Sequence, residues 1–174
     1  LIMCTAATYQ TDDFYMGRTL DYEFSYGEEI TVMPRRFPLE FRHGSRTDEH
    51  YAIIGTAHVS DGYPMYYDAV NEKGLGMAGL NFAVSAHYAE PQDGKQNIAQ
   101  FEFIPWVLSQ YATIEQARSA IEKINLVGTT FDSRYPAAKM HWIIADKSGA
   151  ITVEPTESGL KIYAVSYTHL RAHE

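Results

Sequence analysis

One stretch of this chain keeps helical spacing, and it is set between two longer runs of strand and turn signals. Apolar residues at 101, 103, 104, 106, 107, 108 and 111 predict a buried helix over residues 101–111. Pro105 falls in its first turn, where the N–H that proline lacks has no helical partner anyway. Thr113-Ile114-Glu115-Gln116 is a capping box, with a hydroxyl at the start and an amide side chain three residues on. Behind it Ile114, Ala117, Ala120, Ile121 and Ile124 hold helical spacing to Asn125. A helix pair between strand runs must lay its apolar stripes on a sheet, so the expected class is α+β.

The strands are read from β-branched and aromatic runs bounded by turn residues. They fall at residues 4–9, 14–24, 30–33, 51–59, 66–70, 75–82, 140–145, 150–154 and 159–164. Gln10-Thr11-Asp12-Asp13 turns the first pair into a hairpin, and Gly17 allows another backbone to approach it closely. Asn71-Glu72-Lys73-Gly74 is a four-residue hairpin loop with Gly last. Residues 35–49, 85–96 and 126–138 read as loops. Gly74-Leu75-Gly76-Met77-Ala78-Gly79 matches the dinucleotide fingerprint formally, but that motif needs a helix after it, and here a strand follows. Small residues giving room to a packed neighbour are the better reading.

Several function classes drop out on composition. A net charge of −8 leaves no basic face for nucleic acid. No apolar run approaches the ~20 residues of a membrane span, and the start lacks a basic region followed by an apolar core. One cysteine in 174 residues excludes an internal disulfide and fits a reducing compartment. The expectation is a cytoplasmic protein. The seven histidines form neither a close helical pair nor a cluster with cysteine, so neither a metal nor any other cofactor is expected.

That lone cysteine, Cys4, follows Met3, which reads as the initiator with Leu1 and Ile2 as upstream residues. If residues 1–3 are removed, Cys4 carries a thiol and a free α-amino group on one Cα. The thiol titrates near about 8.5 and the amine near about 7.7–8.0, so near neutral pH the amine can take the thiol proton. A nearby arginine would favour thiolate, and a nearby aspartate would hold the amine. Arg18 and Asp21 are the candidates for those roles, returned toward Cys4 by the hairpin. The plain alternatives are a small buried hydrophobe for Cys4, an exposed ion pair for Arg18 and Asp21, and a satisfied turn residue for Asn81.

Met3-Cys4-Thr5, Gly17-Arg18-x-x-Asp21, Pro34-Arg35, Asn71-Glu72-Lys73-Gly74-Leu75, Ala78-Gly79-Leu80-Asn81-Phe82 and His141-Trp142 occur in one order. As a set they resemble the choloylglycine hydrolase family, the bile salt hydrolases and penicillin V acylases. The resemblance runs from Met3 to about Tyr163 and covers roughly the first half of a family chain. It implies the four-layer αββα sandwich of N-terminal-nucleophile hydrolases, here truncated. It also implies amide hydrolysis through a Cys4 thioester, with Asn81 as an oxyanion donor. The asparagine in Gly79-Leu80-Asn81-Phe82 resembles the bile-salt side of the family and favours glycine- or taurine-conjugated bile salts over penicillin V. Leu20, Phe24 and Phe131 are then candidates for an apolar substrate wall. Family chains suggest a homotetramer. Residues 165–174 match nothing in the pattern and read as a foreign tail, with residues 4–164 as the hydrolase portion. The competing expectation is an inactive fragment that buries too little apolar surface.

Overall fold

The computed structural model describes residues 4–23 and 25–165, together with the strand placement of 169–171. Its frame is a seven-stranded sheet in the order β13-β12-β11-β8-β7-β6-β3, antiparallel throughout. These strands are β3 (Glu29–Met33), β6 (Ile53–Ser60), β7 (Tyr63–Asn71), β8 (Gly76–Asn81), β11 (Met140–Asp146), β12 (Gly149–Thr156) and β13 (Gly159–Ala164). A second sheet begins with the hairpin β1 (Thr5–Gln10) and β2 (Phe14–Thr19). β14 (His169–Arg171) pairs antiparallel along β1. Two short pairs complete the set: β4 (Leu39–Glu40) with β5 (Arg46–Thr47), and β9 (Asn97–Ala99) parallel with β10 (Asn125–Val127).

The helices α1 (Phe103–Gln110) and α2 (Ile114–Ile121) cover one face of the large sheet. Trp106, Phe103 and Leu108 of α1 are fully buried there with Met77, Trp142 and Ile144 of the sheet. Burying each such side chain contributes roughly 1.5–3 kcal/mol. Trp142 meets Phe103 edge-on at 4.9 Å. The capping box forms in part. Thr113 accepts from the Gln116 amide at 3.3 Å, while the Gln116 side chain reaches back to Ala112. The buried carboxylate of Asp146, at the end of β11, accepts the Ile114 N–H at 2.8 Å, placing negative charge at the start of α2.

Three elements differ from the sequence reading. α2 stops at Ile121 rather than at 125. Asn125 donates to the Glu90 carbonyl at 2.8 Å and to Asn97 Oδ1 at 2.7 Å, which draws the following residues into β10 beside β9. β2 ends at Thr19 rather than at 24, because its partner begins at Thr5 and Thr5–Thr19 is the last pair. The 35–49 loop contains the short β4–β5 pair.

The rejection of a dinucleotide site agrees with the fold. Gly76 and Gly79 lie in β8, and the next element is the strand β9 rather than a helix opening at the glycines. A Cβ on Gly76 would sit 2.8 Å from Met16 Sδ, and one on Gly79 would sit 2.9 Å from Met140 Cε. Both glycines therefore admit a packed methionine, one on each face of the sheet.

Candidate active site

Cys4 immediately precedes β1 and is buried at 6% exposure. It packs with Ala6 against Ala78, Leu80, Ile143 and Ala145, which the pairing register places on the sheet face away from the helices. Its thiol donates to the main-chain carbonyl of Asp21 at 3.9 Å. The hairpin therefore does bring residues 18–21 back to residue 4.

Arg18 projects from β2 onto the large sheet. One guanidinium nitrogen donates to the Gly79 carbonyl at 2.8 Å, and the other terminal nitrogen meets Asp68 at 3.4 Å. The side chain is only 7% exposed, so it is not the solvated ion pair of the plain alternative, and its partner is Asp68 rather than Asp21. The Asp21 carboxylate instead accepts the Thr19 hydroxyl at 2.8 Å, and that hydroxyl oxygen accepts the Thr5 N–H at 3.1 Å. A relay of two hydrogen bonds thus ties Asp21 to the residue after Cys4.

Asn81 ends β8, is exposed, and stands opposite Met140 of β11. Leu20 is half-buried between β2 and Asp21. Phe24 lies outside the described residues. Phe131 packs on Phe101 at 5.2 Å and on Tyr63 at 5.9 Å.

Tyr22 carries no motif that the sequence reading singled out. Its phenol is pushed up from the ordinary value, first by burial and next by the charge of Cys4, while Arg18 pulls it down. Its hydroxyl therefore shares the electrostatic neighbourhood of the thiol. The Tyr22 ring meets Tyr26 edge-on at 5.4 Å and Tyr67 at 5.9 Å. Tyr67 reaches this position through a register shift between Thr56 and Ala57: Asp68 pairs with Thr56 and Tyr66 with Ala57, leaving Tyr67 as the extra residue. A bulge of this kind re-aims one side chain beside a site, and a shift in pairing has no signature in a single sequence.

The tyrosines open onto a cleft of about 270 Å³ that is also lined by Met65, Met140 and Tyr135. Its rim is the 129–136 loop. His58 Nε2 meets the Tyr135 hydroxyl at 2.8 Å, and Arg134 joins Asp132 to Asp61 on the β6–β7 turn. Arg42 donates to the Phe131 carbonyl at 3.1 Å. The cleft is apolar and aromatic with a few polar tips, which suits an amphipathic ligand with a large hydrocarbon body. Among the described residues no group of His, Cys, Asp and Glu could hold a metal ion, and no helix is long and apolar enough to cross a membrane.

Comparison with known proteins places this geometry. Residues 4–170 match the linear amide C–N hydrolases, choloylglycine hydrolase family. The bile salt hydrolase/transferase of Lactiplantibacillus plantarum is 48% identical over 161 residues, which make up 92% of this chain and 50% of that protein. The conjugated bile acid hydrolase of Lactobacillus gasseri is 39% identical over 92% of this chain and 52% of its own length. The chain thus spans about half the length of these relatives. Among solved structures, an arginine-to-leucine variant of conjugated bile acid hydrolase from Clostridium perfringens superposes with a TM-score of 0.91 at 32% identity. That match covers 98% of this chain and 54% of the other. Penicillin V acylase from Agrobacterium tumefaciens shares the fold with a TM-score of 0.73 at 20% identity. Together they bear out the truncated α+β class anticipated from the motifs, and the chain belongs to the choloylglycine hydrolase family.

Proposed function

We propose that this chain is the nucleophile-bearing half of an amide hydrolase that releases glycine or taurine from conjugated bile salts. The observation that carries the reading is the buried Cys4 thiol against the Asp21 carbonyl, with Arg18 locked onto Gly79 and Asp68 behind it. Residues 1–3 are the removable leader and residues 4–164 the hydrolase portion, while the family match runs on to residue 170 and leaves only the last few residues outside it.

With Cys4 first in the chain, its Sγ bonds to the amide carbonyl carbon. The thiol proton passes to the Cys4 α-amino group. The carbonyl oxygen gains the negative charge, and Asn81 donates to it; losing such a donor typically costs about 10²–10³ in rate. The C–N bond then breaks, the α-amino group hands its proton to the leaving amine, and a thioester remains. Water adds to the thioester, the C–S bond breaks, and the acid leaves with the thiol restored. Arg18 keeps the thiol neighbourhood positive, and Asp21 orients the α-amino group. The steroid body lies in the tyrosine-lined cleft, and Leu20, Phe24 and Phe131 are further candidates for apolar contact with it. The full-length protein is read as a cytoplasmic homotetramer.

The test is a chain starting at Cys4, completed by the remaining half of the Lactiplantibacillus plantarum relative, and incubated with glycine- and taurine-conjugated bile salts. Amino-acid release by ninhydrin is expected, and it should be lost in Cys4→Ala. Release of phenoxyacetate from penicillin V with no release from bile salts would favour the acylase reading. No release from either substrate would make the assembly inactive and refute the proposal.

A further inference from the structure

The two faces of the large sheet are unequally covered. Pairing register puts Ile30 and Val32 of β3, Ile54 of β6 and Val70 of β7 on one face, through Val32–Ile54 and Ile54–Val70. The same face continues through Gly76 and Ala78 of β8 to Ile143 and Ala145 of β11. At that end the β1–β2 hairpin seals it, and Ala78, Ile143 and Ala145 are buried. At the β3 end it lies open, with Ile30 71%, Val32 60%, Ile54 46% and Val70 40% exposed. Their strand neighbours Met33 and Ile53 point the other way and are sealed in the core with the helices. Four β-branched side chains together on an open sheet face are a patch that monomeric proteins rarely leave uncovered.

A second open element adjoins it. β2 pairs with β1 on one side and with no strand on the other among the described residues. Between this edge and the apolar flank runs a cleft of about 370 Å³, lined by Phe14 and Met16 on one side and Ile54 and Val70 on the other. An unpaired edge beside an apolar floor fits a strand-bearing partner. Backbone groups of the partner would extend the second sheet from β2, and its alternate side chains would cover the floor. The occupant follows from the comparisons. The Clostridium perfringens enzyme contains this fold in 54% of its chain, with 98% of the present chain matched. A second copy of this chain suits less well, because each copy carries a net charge of −8.

We propose that the Ile30–Val32–Ile54–Val70 flank and the open edge of β2 form one docking surface for the other half of a family chain, and that this half docks even as a separate polypeptide. The proposal rests on the fold, and its test reads binding rather than hydrolysis, so its failure is distinguishable from failure of the deconjugation reading.

The experiment coexpresses this chain with a tagged polypeptide comprising the unmatched half of the Lactiplantibacillus plantarum relative. Co-purification is followed by size-exclusion chromatography with light scattering. A one-to-one complex is expected. The double variant Val32→Lys, Val70→Lys places two charges on exposed positions, so the chain still folds, but docking would desolvate them. It should weaken the complex at least about tenfold, while Ser119→Lys on the exposed side of α2 leaves it unchanged. Three results would overturn the proposal. One is a folded chain that does not co-purify. Another is a complex indifferent to the double variant. The third is a homodimer of the chain alone that the double variant dissociates, which would make a second copy the occupant.

Discussion

Asn71 is the tightest joint between the sheet and the helix layer. It is 3% exposed at the end of β7. Its amide donates to the carbonyls of Leu108 at 2.9 Å and Tyr111 at 2.7 Å, at the C-terminus of α1. Its Oδ1 accepts the N–H groups of Lys73 at 3.0 Å and Leu75 at 3.1 Å, which closes the hairpin loop. Asn71→Ala removes all four bonds and leaves a helix-end carbonyl and the buried Leu75 amide without them. At a net 0.5–1.5 kcal/mol per bond, four bonds set a ceiling of about 6 kcal/mol, and water reaching Lys73 and Tyr111 lowers the expectation to about 3 kcal/mol. At roughly 2–4 °C per kcal/mol for a chain of this size, the melting temperature falls by about 6–12 °C. The assay is urea unfolding followed by tryptophan fluorescence, since Trp106 and Trp142 are both buried. Asn71→Asp keeps the two acceptor bonds but loses both donations, and it should also be destabilised. If Asn71→Ala lies within about 0.5 kcal/mol of the surface variant Ser119→Ala, the joint carries no stability and the reasoning fails.

Two further perturbations test other parts of the frame. Gly55→Ala would place a Cβ 2.0 Å from the Asp68 carbonyl oxygen and 2.5 Å from Ala69 Cβ; backbone cannot yield as a side chain does, so the variant should lose the cooperative unfolding transition. A well-folded Gly55→Ala would show that the bulge beside the tyrosine cleft can be reset. Glu102, 1% exposed, has a carboxyl raised from 4.5 to about 7, chiefly by burial, against the pull of the Arg42 and Ala99 N–H groups. The folded state then holds a proton that the unfolded state has released, so stability falls as pH rises from about 4.5 to about 7 and levels off above that. Wild type compared with Glu102→Gln in urea, from about pH 5 to pH 8, should show this slope in wild type alone; parallel curves would place the titration elsewhere.

The parts of this molecule legible in its sequence are those where local chemistry and global packing agree. The capping box at Thr113, the hairpin loop at Asn71 and the apolar spacing of α1 all act within a few residues, and each is where the pattern puts it. Errors fall where a distant partner decides. Asn125 is an acceptable helix end on its own merits and becomes the start of β10 because Glu90 and Asn97 receive its amide. The site divides the same way. The proximity of Cys4, Arg18 and Asp21 follows from a hairpin of ordinary length, whereas Asp68 as the partner of Arg18 lies 50 residues away along the chain. Tyr22 is a lesser case, since it directly follows Asp21, yet only the electrostatic influence of Cys4 and Arg18 on its hydroxyl sets it apart from other tyrosines of the chain.

The energetics of Arg18 bear on why such a residue sits under the hairpin at all. Burying a guanidinium costs several kcal/mol, and an apolar side chain of similar volume often serves stability as well or better. Here the compensation is incomplete. Asp68 is at 3.4 Å and the Gly79 carbonyl at 2.8 Å, while Nε is buried with no hydrogen-bond partner among the described residues. The neighbouring hairpin positions Ala6, Phe14 and Met16 show that apolar side chains fill this interface well. The packing does not require a cation here, and two contacts fix its guanidinium between β7 and β8; the proposed reaction gives that cation a use that the fold alone does not. The same two contacts also fasten the hairpin to β7 and β8. In the proposed reaction Arg18 is therefore both the cation assigned to the thiolate and a residue that holds the hairpin, and Cys4 with it, over the sheet.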